Sequence, residues 1–276
     1  MLFCLVMICL FESVSAQEMQ DCSFQADYDA TEQKYILVLP KNFTPDSRHD
    51  LLIVLHGHGS DRHQFVVQER GECLGTRKIA EKYNMILVAP DYRGTTSWMN
   101  AAAEADLVQI IDMMKTKHGI DRVFLIGGSM GGTAALIFAA LHPERISGVV
   151  SLNGTANLLE YDQFQDAISE SYGGTKLEIP LEYKKRSAEY TPEKLTMPIA
   201  ITASGQDTIV PPDSVLRLSK TLPFFNRHVL LIDRKEAGHE TNLEDTMTAL
   251  EYVILHSQKR QHGEWIEGSD LELTAP

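Results

Sequence analysis

Seven short apolar runs punctuate the chain, at 35–39, 51–55, 85–89, 123–126, 148–152, 198–203 and 228–232. Several hold no polar residue at all, as strands covered on both faces do. Helical patterns fall between them, at 75–83, 101–118, 131–141 and 213–222, and after the last of them, at 242–256. Pro143 follows the third of these, where a proline can stop a helix. Parallel neighbours in a sheet need a long crossover, and a helix is the usual one. The alternation therefore predicts an α/β fold with a mostly parallel central sheet and helices on both faces.

The alternation breaks once, over 155–195, where the chain is polar and partly helical in pattern. This segment reads as a cap-like insertion over the C-terminal edge of the sheet, placed to form part of a pocket wall. One domain over 17–257 is expected, with 258–276 as a C-terminal tail. A chain of 276 residues, 43% of them hydrophobic, has the material for one large core. No internal repeat or low-complexity tract is present. The net charge of −13 argues against a nucleic-acid surface and against attraction to an anionic membrane.

The N-terminal apolar run, 2–11, is too short to span a bilayer. Val14-Ser15-Ala16 behind it fits a signal-peptidase site, so 1–16 reads as an export signal, although no Lys or Arg precedes the run. A secreted or periplasmic protein is the expectation. Cleavage after Ala16 removes Cys4 and Cys9 and leaves Cys22 and Cys73, an even pair that an oxidising compartment allows to bridge. Nothing in the sequence brings those two together. Asn42 and Asn153 head glycosylation sequons, which matter only in a glycosylating source.

Chemistry concentrates after the run at 123–126. Gly127-Gly128-Ser129-Met130-Gly131 fits G-x-S-x-G, and it sits where a strand turns into a helix. The pattern is weak alone and gains weight from that position, where a tight turn pushes the serine hydroxyl outward. A serine hydroxyl is a poor nucleophile and needs a base, and the base needs an orienting acid. On such a fold they follow in the order serine, acid, histidine. His239 follows the last strand candidate, and Asp207 follows the one before it. Both fall at the edge of the sheet that holds Ser129, where open parallel sheets build their sites.

His118, His142, His228 and His256 compete less well for the role of base, since they belong to helix ends or a strand start. Asp213 reads as a helix cap, and Asp233 stands too close to His239.

Oxyanion donors are expected from the backbone N–H of Met130 and of His58, the latter in the His56-Gly57-His58-Gly59 loop after 51–55. His56, His58, Asp61 and His63 offer a rival reading as metal ligands. Their spacing departs from that of binuclear metallohydrolases, and no second cluster completes a shell. A metal site is therefore not expected here. Tyr92 and Trp98, on the loop after 85–89, are candidate substrate-binding residues, with ordinary packing as the alternative.

Taken in order, His56-Gly57-His58-Gly59, Gly127 to Gly131, Asp207 and His239 resemble the α/β-hydrolase superfamily. The segment RSAEYTPEKLTMPIAITASGQDTIVPP is similar to the catalytic domains of prolyl oligopeptidases and to feruloyl and acetylxylan esterases. The resemblance implies a serine nucleophile, no cofactor and no metal. Prolyl oligopeptidases carry a propeller before the catalytic domain, and only a short segment precedes the first strand candidate here. A single-domain serine esterase acting on a small-molecule or carbohydrate-linked ester is therefore the expectation. A serine peptidase and a non-catalytic binding protein on the same fold are the alternatives.

Overall fold

The computed structural model describes residues 19–257 and the backbone of 259–261 and 264–266. The proposed export signal, Cys4 and Cys9 lie outside the described residues, as does most of the tail.

The chain enters through an antiparallel pair, β1 (Met19–Gln25) and β2 (Glu32–Val38), then β3 (His49–Leu55). Two helices follow, the four-residue α1 (Gln64–Val67) and α2 (Gly71–Lys82), leading to β4 (Ile86–Pro90). Next come α3 (Ala101–His118), β5 (Ile120–Gly128), α4 (Met130–Leu141) and β6 (Gly148–Leu152). The segment between β6 and the next strand carries α5 (Gln165–Tyr172) and α6 (Pro180–Lys185). The chain closes with β7 (Ile199–Ser204), α7 (Asp213–Thr221), β8 (Val229–Arg234) and α8 (Leu243–His256). Two short strands, β9 (Lys259–Gln261) and β10 (Glu264–Ile266), pair antiparallel beyond it.

Eight strands form one sheet in the order β1-β2-β4-β3-β5-β6-β7-β8. From β4 to β8 all neighbours are parallel, and the β1–β2 and β2–β4 pairs are antiparallel. Side chains alternate between two cores. Leu51, Ile53 and Leu55 belong to the core that holds residues of α3, α4 and α7, while Leu52 and Val54 belong to the one that holds residues of α2 and α8. This is why the central strands read as continuous apolar runs.

Strand order reverses at β3. The chain first steps from β3 to β4 on one side, then returns to place β5 on the other. The loop after β3 and the turn after β5 therefore flank the crevice at the C-terminal edge, the switch point where open sheets bind ligands.

Cys22 packs partly buried against the core on the α3 face, while Cys73 is buried in the core on the opposite face. The sheet separates them, both are free thiols, and the bridge entertained from their even number does not form. The Asn153 sequon is likewise closed to a glycan, because Asn153 is only 3% exposed.

Candidate active site

Ser129 sits between the end of β5 and the first residue of α4 with φ 58° and ψ −120°. For a residue with a side chain this is a costly conformation, held here by over-determined surroundings. Its N–H donates to the Leu152 carbonyl at 2.8 Å. The helix behind it must pass close to the neighbouring strand. A Cβ on Gly131 would overlap the Leu55 carbonyl oxygen, and one on Gly127 would overlap the Gly131 backbone. Glycine at these two positions is a packing requirement that fixes where the Ser129 hydroxyl stands.

His239 lies on the loop between β8 and α8, and Asp207 on the loop after β7. The Ser129 hydroxyl donates to His239 Nε2 at 2.9 Å, and His239 Nδ1–H donates to Asp207 Oδ2 at 2.6 Å. Asp207 is buried, and its other oxygen, Oδ1, accepts the N–H groups of Ile209 and Val210, each at 2.9 Å. The carboxylate is thus fixed in its plane and presents one oxygen to the imidazole. The three residues come from three separate loops, and the parallel register of β5 to β8 brings them together.

The backbone donors expected at His58 and Met130 flank the serine. Gly57 N–H donates to Gln64 Oε1 at 2.8 Å and Gly59 N–H to the Thr95 carbonyl at 2.9 Å, which pins the loop on both sides of His58. Among the described residues no acceptor takes the His58 N–H. Met130 is the first residue of α4, so its N–H has no partner within the helix. The N-terminus of α4 adds its partial positive charge at the same place.

A cavity of about 380 Å³ opens on this arrangement, lined by His58, Ser129, Asn153 and His239. Phe164 and Ile209 form an apolar wall; Gln64, Gln68, Arg70 and Glu72 form a polar one. Arg70 Nε stands 2.7 Å from Glu72 Oε1, with the carboxylate buried and the guanidinium half exposed. Two larger grooves, of about 850 and 950 Å³, lie elsewhere. One follows the opposite edge of the sheet, at Ile120, Pro198 and His228, and the other runs along α3. Neither contains Ser129, so side-chain geometry and not size identifies the site.

Tyr92 and Trp98 do not line the cavity. Both are buried, 2% and 0% exposed. Tyr92 donates its hydroxyl to the His56 carbonyl at 2.5 Å. Trp98 stands behind the wall, its ring 5.9 Å from that of His58 and 5.8 Å from that of Phe164. Their loop turns inward because Tyr92, Arg93, Trp98 and Met99 all take positive φ. These two side chains shape the wall from beneath instead of touching a ligand.

The four candidate metal ligands also diverge. His56 is buried, with Nδ1 2.8 Å from the Gly57 carbonyl and Nε2 3.3 Å from that of Asp91, and burial pushes its pKa below the ordinary value. His58 faces the cavity, its pKa also lowered by burial. Asp61 and His63 pair with each other at the surface. Among the described residues no three His, Cys, Asp or Glu side chains are grouped to hold a metal ion.

Phe164, Arg70 and Glu72 are cavity residues that local sequence patterns do not single out, and the pattern that marks Asn153, a sequon, does not point to the cavity. The break in strand–helix alternation marks the segment of Phe164 but not the residue.

Residues 50–182 match the family model of the α/β-hydrolase fold. Among solved structures, an acylaminoacyl peptidase of Pyrococcus horikoshii matches with a TM-score of 0.70 at 15% identity, over 92% of this chain and 44% of that one. The fluorophosphonate-binding serine hydrolase F of Staphylococcus aureus matches with a TM-score of 0.68 at 15% identity, over 86% and 98%. The esterase Pf2001 of Pyrococcus furiosus matches with a TM-score of 0.60 at 18% identity, over 86% and 90%. Curated relatives match over shorter stretches, of 42 and 60 residues, at 36% and 35% identity; these are 12% and 16% of their own lengths. By sheet topology and by the sequence match over 50–182, the chain has the α/β-hydrolase fold.

Proposed function

We propose that this chain is a serine hydrolase that cleaves carboxylic esters of small alcohols or carbohydrates. The observation that carries the reading is the unbroken hydrogen-bond chain from Ser129 through His239 to Asp207 beside the mouth of the cavity. Ser129 Oγ attacks the ester carbonyl while His239 Nε2 takes its proton. Asp207 holds the imidazole in the tautomer that leaves Nε2 free, and it stabilises the cation that forms. The N–H groups of His58 and Met130 receive the developing oxyanion. The tetrahedral intermediate collapses, His239 gives its proton to the leaving alkoxide, and an acyl-Ser129 remains. Water deprotonated by His239 then attacks the acyl group, and the acid leaves as Ser129 recovers its proton. A cavity of about 380 Å³ suits a small acyl group with an apolar body.

The same groups serve amide cleavage, and the superfamily's peptidase members, such as the acylaminoacyl peptidase, make this the second reading. One experiment separates the two. Hydrolysis of p-nitrophenyl esters of rising chain length is compared with that of aminoacyl p-nitroanilides, with Ser129→Ala beside the wild type and with and without EDTA. Ester turnover that disappears in Ser129→Ala and ignores EDTA is expected. Preferential anilide turnover would replace the ester reading with the peptidase one, and full activity in Ser129→Ala would end both.

A further inference from the structure

Asn153 follows β6, a strand that carries no member of the triad. It is buried and takes φ 47°, a left-handed conformation that asparagine tolerates better than most residues. Its backbone N–H lies 3.0 Å from Thr202 Oγ1, within β7. Its side-chain oxygen accepts two hydroxyls from the same strand, Thr202 Oγ1 at 2.9 Å and Ser204 Oγ at 3.2 Å. With its oxygen so occupied, the amide has one orientation, and its NH₂ points the other way. There Nδ2 donates to the Glu240 carbonyl at 3.1 Å.

Glu240 is the residue directly after His239, and β7 is the strand that delivers Asp207. A single amide thus ties the strand carrying the acid to the loop carrying the base. The loop has a second anchor upstream, where Gln206 N–H donates to the Ala237 carbonyl at 2.9 Å. His239 stands between the two anchors, and both lead back to the β7 end of the sheet. Removing the downstream one frees the side of the loop that turns into α8.

Resting on the serine-hydrolase reading above, we infer that Asn153 is a positioning residue for the base: it sets the distance from His239 to Ser129 through the Glu240 carbonyl. Misplacing a catalytic group by a fraction of an ångström costs rate without costing substrate binding.

Asn153→Asp is the informative variant. It keeps the acceptor for Thr202 and Ser204 and the tolerance for positive φ, and it replaces the donor to Glu240 with an oxygen. Its kcat on a p-nitrophenyl ester is expected to fall roughly 10- to 100-fold with KM changed less than about threefold. The rate at which a small fluorophosphonate labels Ser129 should fall in parallel, which a lost substrate contact would not cause. Thr202→Val with Ser204→Ala loosens the same amide without altering it, and a kcat loss of a few-fold, roughly 3- to 10-fold, is expected there. This pair keeps the test alive should Asn153→Asp fail to fold.

A variant with normal kcat per active site and a lowered melting temperature would overturn the inference, leaving Asn153 a structural residue. So would a KM rise with kcat unchanged, which would make it a substrate contact. Activity of the wild type and its loss in Ser129→Ala are scored in the same assay, so failure of the serine reading is recognised separately.

Discussion

Phe164 lies against His58, their ring centroids 4.2 Å apart and their planes inclined at 36°. One ring comes from the segment between β6 and β7 and the other from the loop expected to supply an oxyanion donor, and both line the cavity. Phe164 holds φ 54° and is 36% exposed, so its ring covers one side of the site without sealing it. Truncation to alanine leaves Ile209 as the remainder of the apolar wall. Phe164→Ala should raise KM for butyrate and longer p-nitrophenyl esters by about 3- to 10-fold, the value of losing part of a hydrophobic contact, with kcat nearly constant. A kcat collapse at constant KM would instead show that the ring acts by holding His58 in place.

Gly131 and Gly59 make a paired test of why this segment is rich in glycine. A methyl on Gly131 meets backbone, the carbonyl oxygens of Leu55 and His56, which cannot swing aside. Gly59 has φ 78° with open space around it, so alanine there meets only conformational strain. Gly59→Ala should cost about 1 kcal/mol in urea unfolding, whereas Gly131→Ala should cost more than about 4 kcal/mol or fail to fold. Equal costs would refute the close-approach explanation.

The parts of this fold that sequence reveals are those in which local pattern and final burial agree. The helix at 101–118 and the strand at 148–152 carry the same bounds in sequence and structure. β1 escapes notice because it is an edge strand of mostly polar residues, MQDCSFQ, with only alternate side chains half buried. α1 is four residues long, too short to leave a period. Ser129, Asp207 and His239 can be nominated because chain order and strand ends locate them. Asn153, Arg70 and Glu72 cannot, since what puts them at the cavity is the packing of β6 and α2 around it. Tyr92 and Trp98 show the converse: a loop position says nothing about which way a side chain turns, and four residues of positive φ turn this loop inward.

Asp207→Asn tests the acid on its own. Asparagine can keep its oxygen under the N–H groups of Ile209 and Val210, so the loop is expected to stay in place. Its NH₂ then faces His239 Nδ1 and favours the tautomer with the proton on Nε2, which cannot accept from Ser129. The kcat on a p-nitrophenyl ester should fall roughly 10³- to 10⁴-fold with the melting temperature little changed. Retention of a tenth of the activity would assign the acid elsewhere.

Glu104 gives the fold a calculable acid sensitivity. It lies in the first turn of α3, where Oε1 stands 3.0 Å from His142 Nε2 and Oε2 accepts from Arg186 Nη2 at 2.9 Å, with Lys185 3.9 Å away. Arg186 is buried just after α6 and also donates to the Met99 carbonyl at 2.5 Å, so this group ties the segment between β6 and β7 to the turn that carries Trp98. Burial pushes the Glu104 carboxyl up, but the contacts with His142 and Arg186 outweigh it and bring the pKa from 4.5 down to about 2. A carboxyl whose folded pKa lies below its unfolded one stabilises fully above the unfolded value and loses that contribution as pH falls through the folded one. The window is therefore pH 4.5 down to about 2. Glu104→Gln should be less stable than the wild type at pH 7 by about 2–3 kcal/mol in urea. The gap should close as both proteins are titrated through the window, because the wild type is losing what the variant never had. A gap that stays constant from pH 7 to pH 2.5 would show that the carboxylate contributes through shape and hydrogen bonding alone.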